Sequence, residues 1–242
     1  MKRPANTGED VDYHRGDPKG EAAAEPNHDA FVAKRIASIV RELVPVSRSP
    51  GGLYFQEARA IDTDLIADIL ERTDAIGWHP SVLFREEGHS LDGERLGCII
   101  GVMTDPVTAN PTGAISRTYL HEGLKVGKAK TLGSPVGIVR LSADEDVVEG
   151  LCLAEGLETC LGAMAKGFRP CWSTGSAGVM AGLPVLAGVE ALTLLADNDA
   201  SGTGVRAANE TAVRWRAAGR EAHVYLREVL GDFNDVLMET RR

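Results

Sequence analysis

The sequence has no CxxC pair, no apolar run near the roughly 20 residues a bilayer requires, and no apolar signal region in its first residues, MKRPANTGEDVDYHRGD. Its four cysteines, at 98, 152, 160 and 171, match neither a disulfide framework nor a zinc ribbon, so a reducing, cytoplasmic setting away from membranes is expected. Aromatic residues make up only 5%, which leaves few rings for stacking on single-stranded bases. Basic charge is also short: 26 Lys plus Arg stand against 35 Asp plus Glu, a net of -9. That balance excludes bulk, charge-driven binding of duplex DNA while leaving a local site open. With 242 residues, 43% of them hydrophobic and 25% charged, the chain can bury a real core, which excludes a wholly disordered or fibrous protein.

Three regions follow from the pattern. Residues 1–27 are rich in Pro, Gly and mixed charge with almost no large apolar side chain, and are expected to be a disordered tail. Over 28–148 the spacing predicts a helix from His28 to about Pro45, a short extended LYF, a second helix capped by Asp62 or Thr63, and an antiparallel β-rich stretch from about 81 to 142. Over 149–242, apolar strands alternate with helical segments, ending in a helix over DFNDVLMET. This alternation predicts an α/β fold, doubly wound around a mainly parallel sheet. The acidic excess lies mostly in residues 1–150, with 24 acidic and 17 basic side chains, yet residues 116–140 carry a local net of +4.

In a doubly wound sheet, ligands bind outside the carboxyl ends of the strands. Acidic residues stand at three such positions: Glu155 after LCLA, Asp197 and Asp199 after ALTLLA, and Asp232 with Asp235 after AHVYL. Each alone also reads as a helix cap or a partner for the helix dipole. Gathered on one rim they would repel one another without a cation, and an all-oxygen set suits Mg²⁺ or Mn²⁺. Gly156 and Gly202 would let the backbone turn and approach a ligand closely.

Taken in order, AEGLET, LLADNDASG and DFNDVL resemble the three acidic motifs of the Toprim domain, the catalytic module of bacterial-type primases, topoisomerases and some nucleases. They are most similar to the Toprim domains of phage and plasmid primase-like proteins, and RTYLHEGLKVGKAKTLGSPVGIVRL resembles the basic segment that precedes Toprim there. The resemblance spans about residues 50–242. It implies Glu155 as general acid or base and a member of the metal site, Asp197 and Asp199 as catalytic metal-binding carboxylates, and Asp232 and Asp235 as residues that complete the metal site. Glu158 fills the last position of EG-x-E, and Thr159 stands where other branches carry Asp. The implied activity is a Mg²⁺-dependent (or Mn²⁺-dependent) DNA-primase-like nucleotidyltransferase in replication of a phage, plasmid or mobile element. It would act on single-stranded DNA template and nucleotides, with a replicative helicase or a relaxase as partner. A metal-dependent Toprim nuclease and a non-catalytic accessory protein are the rival readings. The basic stripe supplies the candidate nucleic-acid contacts Arg117, Lys125, Lys128 and Lys130, with Lys128 and Lys130 expected on one strand face.

Other motifs fall short. A calcium loop starting at Asp197 would need a bidentate acid at its twelfth position, which is Ala208. A haloacid-dehalogenase-type start would place the Asp-x-Asp on the first strand of its sheet, whereas two strands precede it here. GLKVGKA lacks the spacing and the Ser or Thr of a P-loop, GSAG is not a nucleophile elbow, and the six histidines show no HExxH spacing.

Overall fold

The computed structural model describes residues 28–134, 136–197 and 201–226. The expected tail at 1–27, the expected last helix, and Asp199, Asp232 and Asp235 lie outside the described residues.

The chain opens with α1 (His28–Arg41), whose Ile36 and Ile39 are buried on one side. The expected extended LYF is instead helical: α2 (Pro50–Leu53) runs into a π-turn over Tyr54–Ala58. Local chemistry accounts for this. Ser49 Oγ accepts from Gly51 N at 3.1 Å and Pro50 occupies the first turn, so a capped helix start overrides a three-residue apolar run. Helix α3 (Thr63–Arg72) follows, its cap formed by Asp62, which accepts from Asp64 N at 2.9 Å.

The antiparallel sheet consists of β1 (Ile76–Leu83), β2 (Arg95–Thr104), β3 (Pro111–His121) and β4 (Leu124–Leu132), in sequential order. It starts five residues earlier than the composition suggests, because the Gly and Pro of IGWHP are tolerated on an edge strand where Trp78 pairs with Ile99. It also ends earlier. GIVRL contributes only single bridges, Ile138 to Thr104 and Val139 to Ser173, and so ties one sheet to the other.

The second sheet is wholly parallel, with β5 (Gly150–Ala154) and β7 (Ala191–Ala196) in the middle and β6 (Cys171–Ser173) and β8 (Glu221–Leu226) outside, in the order β6-β5-β7-β8. Helix α4 (Leu157–Ala165) packs with Cys152 and Ala154 on one face, while α5 (Ala177–Gly182) and α6 (Thr203–Ala217) pack with Leu151, Leu153 and Leu192 on the other. Strands buried on both faces account for the near-continuous apolar runs of the sequence.

A single apolar cluster crosses from sheet to sheet, joining Tyr54, Phe55, Trp78, Ile99, Met103 and Leu120 to Leu157, Cys160, Leu161 and Leu195. The opposite face of the antiparallel sheet has its own cluster beneath α1, with Phe84, Ile100, Ile115, Tyr119 and Val126. Arg140 fastens the seam: its guanidinium lies 4.2 Å from the Trp172 ring centroid and donates to Thr104 Oγ1 (3.0 Å) and the Asp105 carbonyl (2.8 Å). Among the described residues no helix is long and apolar enough to cross a membrane.

Candidate active site

Glu155 and Asp197 are the first residues beyond the two central strands, which pair in parallel with Ala154 opposite Leu195. Adjacent parallel strands lie about 4.8 Å apart, so this register brings the two acidic positions to one rim. The Glu155 backbone is fixed from the side, since its carbonyl accepts from Ser173 Oγ at 2.8 Å and from Gly175 N at 2.9 Å. Thr159, on the first turn of α4, donates its hydroxyl to Asp197 Oδ1 at 3.3 Å. The residue that stands where related motifs carry Asp therefore orients the neighbouring acid.

Helix α6 closes the site from above. Gly202 sits at its N-terminal boundary with φ +60, a left-handed conformation that glycine adopts without strain. Two residues on, a Cβ at Gly204 would lie 3.7 Å from Glu155 Oε2 and 3.5 Å from the Asp197 carbonyl, so the Glu155 carboxylate rests against the first turn of α6. Backbone N–H groups at a helix start favour negative charge there. Both acids are half-buried and offer only oxygen, a donor set suited to a hard divalent cation. Among the described residues no group of three or more His, Cys, Asp or Glu side chains forms a metal cage, and the three further acids the motifs point to are outside those residues.

Glu158 is the site residue that sequence reasoning left without a role. It is 5% exposed, and its Oε1 accepts from Lys125 Nζ at 2.8 Å and from the Tyr54 hydroxyl at 3.2 Å. Burial pushes its carboxyl pKa up, but the Lys125 charge and hydrogen bond, its own backbone N–H and the Arg59 charge outweigh this and hold it below the usual carboxylate value. The signal that could have found it is a Glu in an otherwise apolar helix, LETCLGAMA, since a buried acid needs a cationic partner.

The basic stripe does not form one surface. Lys125 stands opposite Leu120, on the face turned toward α4, whereas Lys130 stands opposite Arg117, on the face turned toward α1. Arg117 is half-buried, donating to the Tyr119 hydroxyl at 2.8 Å and the Thr131 carbonyl at 3.0 Å. Lys130 bonds the Arg85 carbonyl at 2.7 Å, pairs with Glu86 at 2.8 Å and lies 5.0 Å from the Phe84 ring centroid. Lys128 is exposed and makes no ion pair among the described residues. It falls in an irregularity where the four steps of β4 from Val126 to Lys130 lie against two steps of β3, with Gly127 at φ +62.

The thiols have no catalytic character. All four cysteines are buried, burial pushes Cys152 up to about 11 and Cys98 higher still, and Cys171 is raised by its hydrogen bond with Cys160 and by burial.

Residues 150–242 match the family model of the Toprim domain. No curated protein matches the chain by sequence. Among solved structures, the chain is similar to a DNA primase domain from Pseudomonas aeruginosa, with 12% identity over 86% of this chain and 74% of that one at a TM-score of 0.56. It is also similar to the DnaG catalytic core, with 14% identity over 86% and 76% of the two chains at 0.58. A DnaG primase catalytic domain bound to ssDNA matches with 14% identity over 88% and 79% at 0.56. These likenesses show a shared fold that extends over both sheets. Residues 150–242 are a Toprim domain, and Toprim domains generally bind divalent metal.

Proposed function

We propose that this chain, with its Toprim domain at residues 150–242, is a primase-like nucleotidyltransferase dependent on Mg²⁺ or Mn²⁺. The observation that carries this reading is the meeting of Glu155 and Asp197 at the carboxyl ends of β5 and β7, beneath the start of α6, in a fold that also includes the antiparallel sheet. The metal, held by Asp197 with Asp199, Asp232 and Asp235 and bordered by Glu155, would neutralise triphosphate charge. Glu155, with its backbone pinned by Ser173 and Gly175, would hold or accept the proton of the attacking hydroxyl. Lys125 and the exposed Lys128 supply cations for phosphates, with Arg117 and Lys130 on the sheet face opposite Lys125. Single-stranded DNA template and nucleotides are the substrates, the setting is replication of a phage, plasmid or mobile element, and a replicative helicase or a relaxase is the partner.

The test incubates purified protein with single-stranded templates, NTPs and Mg²⁺. Short RNA products are expected, and their absence on every template overturns the reading. Cleavage of labelled DNA that is abolished by Asp197→Ala would replace it with the Toprim nuclease.

A further inference from the structure

The first turn of α4 carries two consecutive polar residues that reach in different directions. Thr159 Oγ1 donates to Asp197 Oδ1 at 3.3 Å, toward the end of β7. Glu158 Oε1 accepts from Lys125 Nζ at 2.8 Å and from the Tyr54 hydroxyl at 3.2 Å, toward β4 and the π-turn after α2. Both begin from the same spot: a Cβ placed on Gly156 would lie 3.3 Å from Thr159 Oγ1 and 3.9 Å from Glu158 Oε2. Gly156 in turn follows Glu155 directly. Lys125 is thus the cation of the antiparallel sheet that is tied beside the acidic rim. Its side chain is 33% exposed against 6% for that of Glu158, so the carboxylate is sealed while the ammonium faces outward. An ammonium has three donors, and one bond to Glu158 leaves two for a further acceptor.

From this the geometry points to Glu158 as a positioning residue that holds Lys125 for the triphosphate of an incoming nucleotide, on the same rim where Thr159 holds Asp197. The inference rests on the nucleotidyltransferase reading and assigns its nucleotide-phosphate contact. A flexible lysine on a hairpin samples many rotamers, and a fixed carboxylate removes that freedom before the nucleotide arrives. A sealed anion beneath the cation also limits its attraction for anions in general, so the lysine serves an oxygen presented at that place. Lys130 and Arg117, on the other sheet face and bonded to backbone carbonyls, do not compete for this position.

The experiment measures binding of MgATP and of magnesium tripolyphosphate by calorimetry, and Mg²⁺ or Mn²⁺ binding separately, for the full chain and for Glu158→Gln, Lys125→Met and the double variant. Each single variant is expected to weaken both phosphate probes by about tenfold, the size of one charge-assisted hydrogen bond, and the double variant to weaken them no further. Metal binding is expected to be unchanged in Glu158→Gln. Unaltered phosphate affinity in both single variants overturns the inference while leaving the function intact. Loss of metal binding in Glu158→Gln would make Glu158 a ligand and also overturns it. Weakening of ATP but not tripolyphosphate would assign Lys125 to the nucleoside, against the inference. If the wild type binds neither metal nor nucleotide, the nucleotidyltransferase reading falls first and takes the inference with it. Should Glu158→Gln fail to fold, Lys125→Met and Tyr54→Phe, read by the same titrations and by near-ultraviolet circular dichroism, decide the case: full phosphate affinity in a folded Lys125→Met protein refutes the role.

Discussion

The two sheets use their charged residues in opposite ways. In the parallel sheet β5 and β6 are apolar but for Ser173 and β7 carries only Thr193, these strands are buried, and acids stand past the carboxyl ends of β5 and β7, while only the exposed edge strand β8 carries charge within it, at Glu221. In the antiparallel sheet the basic residues sit within the strands, where the partner strand and the face decide their fate. A strand end projects into the open, so an acid there is available to a ligand. A side chain inside a strand can be claimed by its cross-strand and same-face neighbours, as Lys130 and Arg117 are, both bonded to the protein itself.

The sharpest way to break this contrast is at the strand ends. Asp197→Ala is expected to abolish divalent-ion binding by calorimetry and to lower primer synthesis by about 10²-fold or more, as removal of charge stabilisation at a reacting centre does. If Lys130→Met proved equally damaging to synthesis, the contrast between ends and faces would be wrong.

Next in size are the cores. Leu153→Ala in β5 and Ile100→Ala in β2, both fully buried, should each cost about 2–5 kcal/mol in urea unfolding. Because one apolar cluster joins both sheets, each variant should unfold in one transition. Trp78 reports on the first sheet, and Trp172 with Trp215 on the second, so single-tryptophan variants would reveal any split.

A smaller effect is expected on the acid side. Glu158 has a folded pKa below its ordinary 4.5, so the stability it contributes is fully present above that value and is lost as pH falls through the lower folded one. Glu158→Gln should therefore flatten the acid limb of stability against pH, seen in melting temperatures from pH 6 to pH 3. An unchanged limb would mean the ion pair with Lys125 is not retained in solution.

The smallest effects belong to the exposed basic residues. Lys128→Ala should leave the melting temperature unchanged while reducing the salt dependence of single-stranded DNA binding by about one contact. An unchanged slope would remove Lys128 from the phosphate contacts.

The contrast also explains what could be read from the sequence. The α/β class, the parallel alternation and the acids after LCLA and ALTLLA are legible because strands buried on both faces must be apolar and only their ends can be charged. The helical Leu53-Tyr54-Phe55 segment is not, because its cap at Ser49 outweighs local β preference. The opposite faces of Lys125 and Lys130, five residues apart, follow from period two, but the local setting of Lys128 does not, because two extra residues of β4 intervene between Val126 and Lys130. The role of Glu158 depends on a partner 33 residues away in the chain.

The apolar cluster shared by the two sheets has a consequence for inheritance. A Toprim domain cut free at residue 149 would leave Leu157, Cys160 and Leu161 facing water where Tyr54, Phe55 and Trp78 now cover them. In this chain the parallel sheet would therefore have to travel together with the hairpin sheet, which serves as its wall as well as its neighbour.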